Sequence, residues 1–278
     1  MTEIGSSTTG FSVALPGHPE NVVTLAWAAR TDVGRRRSAN EDSYIATSPI
    51  FSVADGMGGH AAGDLASAAV VTRLSEANTV EFTTTDIIDA ALLRATEDID
   101  IVSDGSELGV GTTATGAVLT VHDGNPYFAV FNIGDSRVYA YEGGRLYQVT
   151  VDHSVVQEMV DAGMLTREQA EHHPDSNIIT RAVGFGSPPT PDYWMLPLAA
   201  GVRLLVCSDG LSKELGDRDV LSHLAAGLPA AATADALIAE ALENGGRDNV
   251  TVIVVDVLDA PVNLQHEIAL PRSGGDTE

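Results

Sequence analysis

The chain has 278 residues, 44% of them apolar, enough for one large domain or two small ones with a core able to fold independently. Fifteen Lys and Arg stand against 39 acidic residues, a net charge of -24, and there is no basic stripe. Such a surface repels nucleic acid and anionic membranes.

Cys207 is the single cysteine, so an intrachain disulfide is impossible, which fits a reducing cytoplasm as the expected location. The first Lys or Arg is Arg30, too late for the charged start of a signal peptide, and no apolar run approaches the ~18 residues of a membrane span. A soluble monomer is expected.

Residues 1–22, rich in Ser, Thr, Gly and Pro, are expected to hang loose, with order starting near Val23. Ile50 to Ala54 reads as a short apolar strand that ends in Asp-Gly. Asp64 to Ala77 and Asp86 to about Val102 carry apolar residues at helical spacing, with Asp86 a candidate cap. Gly111 to Val121, Pro126 to Ile133 and Val138 to Tyr141 read as strands joined by hairpin-like turns, and Arg145 to Val149 adds another.

Two short helices, His153 to Ala162 and Thr166 to about His173, follow, the second with capping-box spacing between Thr166 and Gln169. Val202 to Cys207 is a buried-type strand. Arg218 to Ala226 and Ala234 to Asn244 are helices, the latter stopped by Gly245-Gly246, and Val250 to Val257 is a Val-rich strand. Residues 259–278 read as a flexible tail. Strand clusters alternating with helix pairs predict an α+β domain over residues 23–258, with antiparallel sheet and helices outside.

Four aspartates lie at the ends of apolar segments: Asp55 before Gly56-Met57-Gly58-Gly59, Asp135 in Gly-Asp-Ser-Arg, Asp209 before Gly210, and Asp248 before Asn249. Each alone reads as a turn residue, since Asp-Gly is a common turn dipeptide. Gathered at the mouths of facing strands, they would form an all-oxygen cage suited to Mg²⁺ or Mn²⁺ and unlike a structural zinc site. The glycines after Asp55 let backbone approach a ligand, and a carbonyl there can join the ligand set. Arg37, in a segment that also holds Glu41 and Asp42, has a guanidinium able to fork two hydrogen bonds onto phosphate oxygens. The alternative is a solvated basic run, Arg35-Arg36-Arg37.

The order Arg37-x-x-Asn-Glu41-Asp42, Ala-Asp55-Gly-Met-Gly-Gly-His-x-x-Gly, Gly111-Thr-Thr-Ala, Gly134-Asp135-Ser-Arg, Ser-Asp209-Gly-Leu and Asp248-Asn-Val-Thr resembles the metal-dependent protein phosphatases, the type 2C serine/threonine family in its bacterial form. The resemblance covers about residues 26–257. It implies a βα sandwich of two facing antiparallel sheets flanked by helices.

It also implies that Asp55 bridges two Mn²⁺ or Mg²⁺ ions, with the Gly56 carbonyl on one of them. Asp209 and Asp248 would hold the other ion, Glu41 would act through bound water, and Asp135 with Asp209 would take a third, weaker ion. Arg37 corresponds to the family's phosphate-binding arginine. The implied activity is hydrolysis of phosphoserine and phosphothreonine proteins, the substrates of a Hanks-type Ser/Thr kinase, by a metal-bridging water or hydroxide. Residues 152–190 resemble the flap of bacterial members, and a plain helical insertion is the other reading. Met57 stands where the eukaryotic pattern has a histidine, which leaves His60 or a water as proton donor.

Rival chemistries fit less well. A cysteine phosphatase would need Arg six positions after Cys207, where Lys213 stands, and Asp98-Ile-Asp100 lies in a helical pattern where an aspartyl-phosphate enzyme needs a strand end. A calcium module draws its ligands from one short loop. The non-enzyme alternative is a pseudophosphatase acting as a metal-dependent signalling module, which would have lost a ligand.

Overall fold

A computed structural model describes residues 1–58, 62–78, 80–103, 109–185 and 188–261. The chain begins with β1 (Glu3–Gly5), β2 (Thr8–Leu15), β3 (His18–Asp32), β4 (Asp42–Thr47), β5 (Ile50–Met57), α1 (Ala62–Ala77) and α2 (Thr85–Val102). It continues through β6 (Gly111–Thr112), β7 (Ala114–His122), β8 (Asn125–Ile133), β9 (Arg137–Glu142), β10 (Arg145–Gln148), α3 (Val155–Asp161) and α4 (Arg167–Glu171). The last elements are β11 (Asp192–Pro197), β12 (Arg203–Cys207), α5 (Asp209–Ser212), α6 (Asp217–Ala225), α7 (Ala230–Asn244) and β13 (Val250–Asp259).

Two sheets form, in the orders β1-β4-β5-β7-β8-β11, with β6 also on β5, and β10-β9-β12-β13-β3-β2. Side chains alternate faces along a strand, so a strand buried on both faces reads as a continuous apolar run. Along β12, Leu204 and Val206 face the other sheet, where they meet Phe51, Val53, Phe128 and Val130. Leu205 and Cys207 face outward onto Leu224 of α6 and Leu237 of α7. On the opposite side, Ile50 and Phe131 pack under Val70 and Leu74 of α1 and Leu92 of α2. The result is four layers, helix, sheet, sheet, helix, and the expected α+β sandwich. Among the described residues, no helix is long and apolar enough to cross a membrane.

The N-terminal expectation is corrected by the structure. Residues 1–22 contribute β1, β2 and the start of β3. Val13 and Leu15 alternate into the core between the sheets, and the Trp27 indole N–H donates to Ser6 O and Ala46 O at 3.0 Å each, fastening the segment down. At the other end, β13 runs on to Asp259, and 262–278 lie outside the described residues. One pairing departs from the antiparallel rule: β1 runs parallel to β4.

Three further differences bear on the site. Gly111 to Val121 is two strands, interrupted at Thr113, whose hydroxyl accepts from Asp55 N–H at 2.9 Å. The Gly134-Asp135-Ser136 turn is not a hairpin: β8 belongs to one sheet and β9 to the other, and the turn carries the chain between them. Gly134 has φ +113°, and a Cβ there would strike the Thr113 side chain, so glycine is required at this crossing. For α2 the cap position is Thr84, not Asp86, and it makes no side-chain cap bond.

Candidate active site

Every candidate acid stands at one end of the sandwich, because in antiparallel sheets the starts of some strands and the ends of their neighbours meet at the same edge. Asp42 opens β4 and lies opposite Asp55, near the end of β5. Asp209 follows β12 as the first residue of α5, Asp248 precedes β13, and Asp135 sits in the crossing before β9. Sheet-to-sheet contact is direct: Asp42 Oδ2 accepts from Ser208 Oγ at 2.9 Å and from Thr251 Oγ1 at 2.6 Å. Gly210 packs against the Asn249 carbonyl so closely that any Cβ would overlap it, which draws the Asp209 and Asp248 turns together.

The charges act on one another strongly. Burial, and then the charges of Asp42, Asp209, Asp135 and Asp248, push the Asp55 carboxyl well above the ordinary carboxylate range. Burial, reinforced by Asp209 and Asp248, raises Asp42 to about 7, although Thr251 and Ser208 hydroxyls oppose the rise. Burial, then Asp209, raises Asp135 to about 8. Asp42 Oδ1 and Asp209 Oδ1 are buried without a hydrogen-bond partner. Uncompensated buried carboxylate oxygen is costly and calls for a cation.

Two cationic side chains answer part of that demand. Arg37, half exposed, donates from its terminal nitrogen to Asp248 Oδ2 at 2.8 Å. Burial alone would lower its pKa, and Asp248, with Asp55 and Glu41, outweighs that and raises it. Lys213 Nζ bonds Asp209 Oδ2.

Glu41 is held through its backbone: its N–H donates to Asn249 Oδ1 at 2.8 Å and its carbonyl accepts from Ser67 Oγ at 2.6 Å. Asn249 Nδ2 also donates to Val33 O and Ala39 O at 2.9 Å, so one amide pins the loop bearing Arg37 and Glu41 to the Asp248 turn. Gly56 is buried in β5, paired with Thr112 of β6.

The structure thus brings Asp55, Asp135, Asp209 and Asp248 into one field, with Arg37 and Glu41 at its edge and Gly56 beside it. Among the described residues, however, no three Asp, Glu, His or Cys side chains are gathered tightly enough to hold an ion as they stand. Arg37 and Lys213 each hold one aspartate oxygen there, of Asp248 and of Asp209. The donor set still fits a hard divalent ion: all oxygen, in charge surplus, with two buried oxygens lacking a partner. His60 lies outside the described residues.

Three residues in this site went unrecognised as functional candidates in the sequence: Asp42, Lys213 and Asn249. Asp42 was legible in principle, because Ser43-Tyr-Ile-Ala-Thr47 is rich in strand-forming residues and pairing it with Ile50–Ala54 places Asp42 against Asp55.

The family model described as Protein phosphatase 2C matches residues 35–244. The chain is 38% identical over 262 residues to the serine/threonine protein phosphatase PstP of Mycobacterium tuberculosis, covering 92% of this chain and 49% of that one. It therefore spans about half the length of that relative. The serine/threonine phosphatase stp of Listeria monocytogenes is 35% identical over 240 residues, covering 82% of this chain and 94% of its own. Among solved structures, the catalytic domain of PstP in complex with two manganese ions superposes with TM-score 0.76 at 38% identity, over 85% of this chain and 99% of that one.

Two facing sheets flanked by helices, with an acidic site at one end, match the fold of that phosphatase catalytic domain. The chain belongs to the protein phosphatase 2C family.

Proposed function

We propose that this chain is a metal-dependent protein serine/threonine phosphatase. The observation that carries the reading is the convergence of Asp42, Asp55, Asp135, Asp209 and Asp248 from both sheets at one end of the sandwich. Asp55, with the Gly56 carbonyl, and Asp209 with Asp248 are the residues to hold two Mn²⁺ or Mg²⁺ ions, with Glu41 beside them and Asp135 as an accessory ligand. Such ions, when bound, acidify water to give hydroxide near neutral pH and screen the charge of the phosphoryl oxygens.

The protein's own part is positional. Arg37 is the phosphate anchor: it reaches Asp248 across 211 positions of sequence, and a phosphate offers its guanidinium the same two-oxygen geometry as a carboxylate. With Arg37 turned to phosphate, Asp248 would be free to serve as a metal ligand. Asn249 holds both partners of that exchange in place. Asp42, hydrogen-bonded by Ser208 and Thr251, sets the electrostatic floor beneath Asp55. A catalytically silent relative would lack one of these acids, and Asp55, Asp209 and Asp248 are all present.

The proposed substrates are phosphoserine and phosphothreonine proteins made by a Hanks-type kinase in the cytoplasm, which places the chain in signal transduction. Hydrolysis of an aryl phosphate and of a phosphothreonine peptide, with Mn²⁺ and with chelator, tests the reading. Turnover that requires Mn²⁺ and disappears in Asp55→Asn and Asp209→Asn is expected. Metal-independent turnover, or full activity in both variants, would overturn it.

A further inference from the structure

Of the basic run Arg35-Arg36-Arg37, the proposed chemistry uses only Arg37. The run lies in a turn after β3 that is bonded at several points to the Asp248 turn and to α7. Asp32 Oδ1 accepts from Gly34 N–H at 2.8 Å, Asn249 Nδ2 donates to Val33 O at 2.9 Å, and Arg35 N–H donates to Gly246 O at 2.6 Å. Arg35 Nε donates to Leu242 O at 2.9 Å, satisfying a carbonyl in the last turn of α7. Arg37 bonds Asp248 Oδ2, and Arg247, beside Asp248 in the chain, bonds Glu214 and the Lys213 carbonyl. Arg36 is exposed and, among the described residues, has no hydrogen-bond or ion-pair partner. A fixed turn thus presents one unused guanidinium directly beside the phosphate anchor.

We infer that Arg36 is a specificity-determining residue, which selects substrates carrying an acidic side chain next to the phosphorylated serine or threonine. The inference rests on the phosphatase reading above. Consecutive Cα atoms are about 3.8 Å apart in protein and extended substrate alike, so an arginine adjacent to the phosphate anchor serves a substrate residue adjacent to the phosphate. The run also stands against the composition: the chain has 15 Lys and Arg to 39 acidic residues, yet three arginines are consecutive here. The net charge of -24 would by itself favour basic substrates. Salt screens exposed charges beyond about 8–10 Å, whereas a side chain beside the anchor acts at contact distance. The local charge therefore decides, and it selects acid. An exposed pair of this kind is weak, so the preference is expected to be about 2- to 5-fold in kcat/KM.

Phosphothreonine peptides that differ only in Glu, Gln or Lys beside the phosphothreonine, on one side at a time, test this with the full chain in Mn²⁺. The readout is the ratio of kcat/KM for the Glu peptide to that for the Gln peptide. Both are measured on the same protein, so a general loss of activity or of folded material cancels. In wild type at low salt the ratio is expected to reach about 2 to 5 on one side or the other, and to shrink toward one at high salt. Arg36→Gln is expected to bring it close to one. Arg36→Lys is expected to retain it, since an exposed pair needs only the charge, and Arg36→Glu to shift the preference to the Lys peptide. A ratio near one in wild type on both sides, or an unchanged ratio in Arg36→Gln, would overturn the inference while leaving the phosphatase reading intact. No Mn²⁺-dependent turnover of any peptide would instead overturn the phosphatase reading itself.

Discussion

Asp42 stands directly across the β4–β5 ladder from Asp55, so two carboxylates share one face of the sheet on neighbouring strands. Directly opposed residues of an antiparallel pair have Cβ atoms only about 5 Å apart, and like charges there repel. Without ions this pair destabilises the fold, and one Asp42 oxygen is buried with no partner.

Asp42→Asn keeps an oxygen for Ser208 and Thr251 and removes the charge. In chelator it is expected to be more stable than wild type by about 1–2 kcal/mol, a rise in Tm of roughly 2–8 °C for a chain of this size. The same change is expected to weaken Mn²⁺ binding about 10-fold or more, the usual cost of losing a residue that supports a metal ligand. Thermal scans in chelator and calorimetric titration check the two halves. A fall in Tm would show that the Asp42 charge is already satisfied.

Arg37 gives the second prediction. Its guanidinium is half exposed and its present partner, Asp248, is only one candidate for its two parallel N–H groups. A charge-assisted hydrogen bond contributes about 1.5–3 kcal/mol. Arg37→Ala is therefore expected to lower kcat/KM on a phosphothreonine peptide by about 10- to 100-fold, with little change in Tm. Arg37→Lys is expected to recover only part of that, because an ammonium cannot fork onto two oxygens. Unchanged kcat/KM in Arg37→Ala would remove this residue from phosphate binding.

Much of this was legible in the sequence, for reasons that differ between elements. The β5, β12 and β13 runs are apolar on both faces because each strand is covered on both sides, and that pattern is local. The α1, α2 and α7 helices announce themselves by period. By contrast, β1, β2 and β11 are edge strands, whose existence depends on a neighbour supplied from far along the chain. The Gly134 turn signalled a change of direction but not which sheet the chain enters next. The aspartates were visible as strand-end residues. That Asp42 faces Asp55 depends on register, and that Lys213 covers Asp209 depends on where a short helix begins; neither is written in the residue types.

Glu214 and Arg247 tie the two halves of the site together. The Glu214 side chain is only 2% exposed and accepts from Arg247 N–H and Nε at 2.9 Å and from a terminal guanidinium nitrogen at 3.2 Å. Because Glu214 follows the Asp209 helix and Arg247 precedes Asp248, the pair fixes the separation of the two carboxylates. Glu214→Gln retains an acceptor and is expected to be mild. Glu214→Ala leaves Arg247 N–H without its partner and is expected to cost about 1–3 kcal/mol, a fall in Tm of roughly 2–12 °C, together with weaker Mn²⁺ binding. If stability falls while Mn²⁺ affinity holds, the pair supports the fold alone.

His153 supplies the pH dependence. Its Nδ1 accepts from Gly134 N–H at 3.1 Å, so the ring proton sits on Nε2, which faces Asp192 Oδ2 at 3.1 Å; Arg181 bonds the other Asp192 oxygen at 2.9 Å. The imidazole is thus neutral, and it braces the crossing that carries Asp135. Burial lowers the His153 pKa below the ordinary value, with Arg181 in the same direction and Asp192 and Asp152 against. The unfolded chain, with its histidine near about 6.5, then binds a proton more readily than the folded one. Stability from this group is complete above about 6.5 and declines as pH falls below it, by at most about 1.4 kcal/mol per pH unit. His153→Gln removes the titration. Between pH 5 and 7.5 its Tm is expected to vary less steeply than that of wild type, the two curves converging at the acid end. Parallel curves over that range would mean that protonation of His153 does not oppose folding.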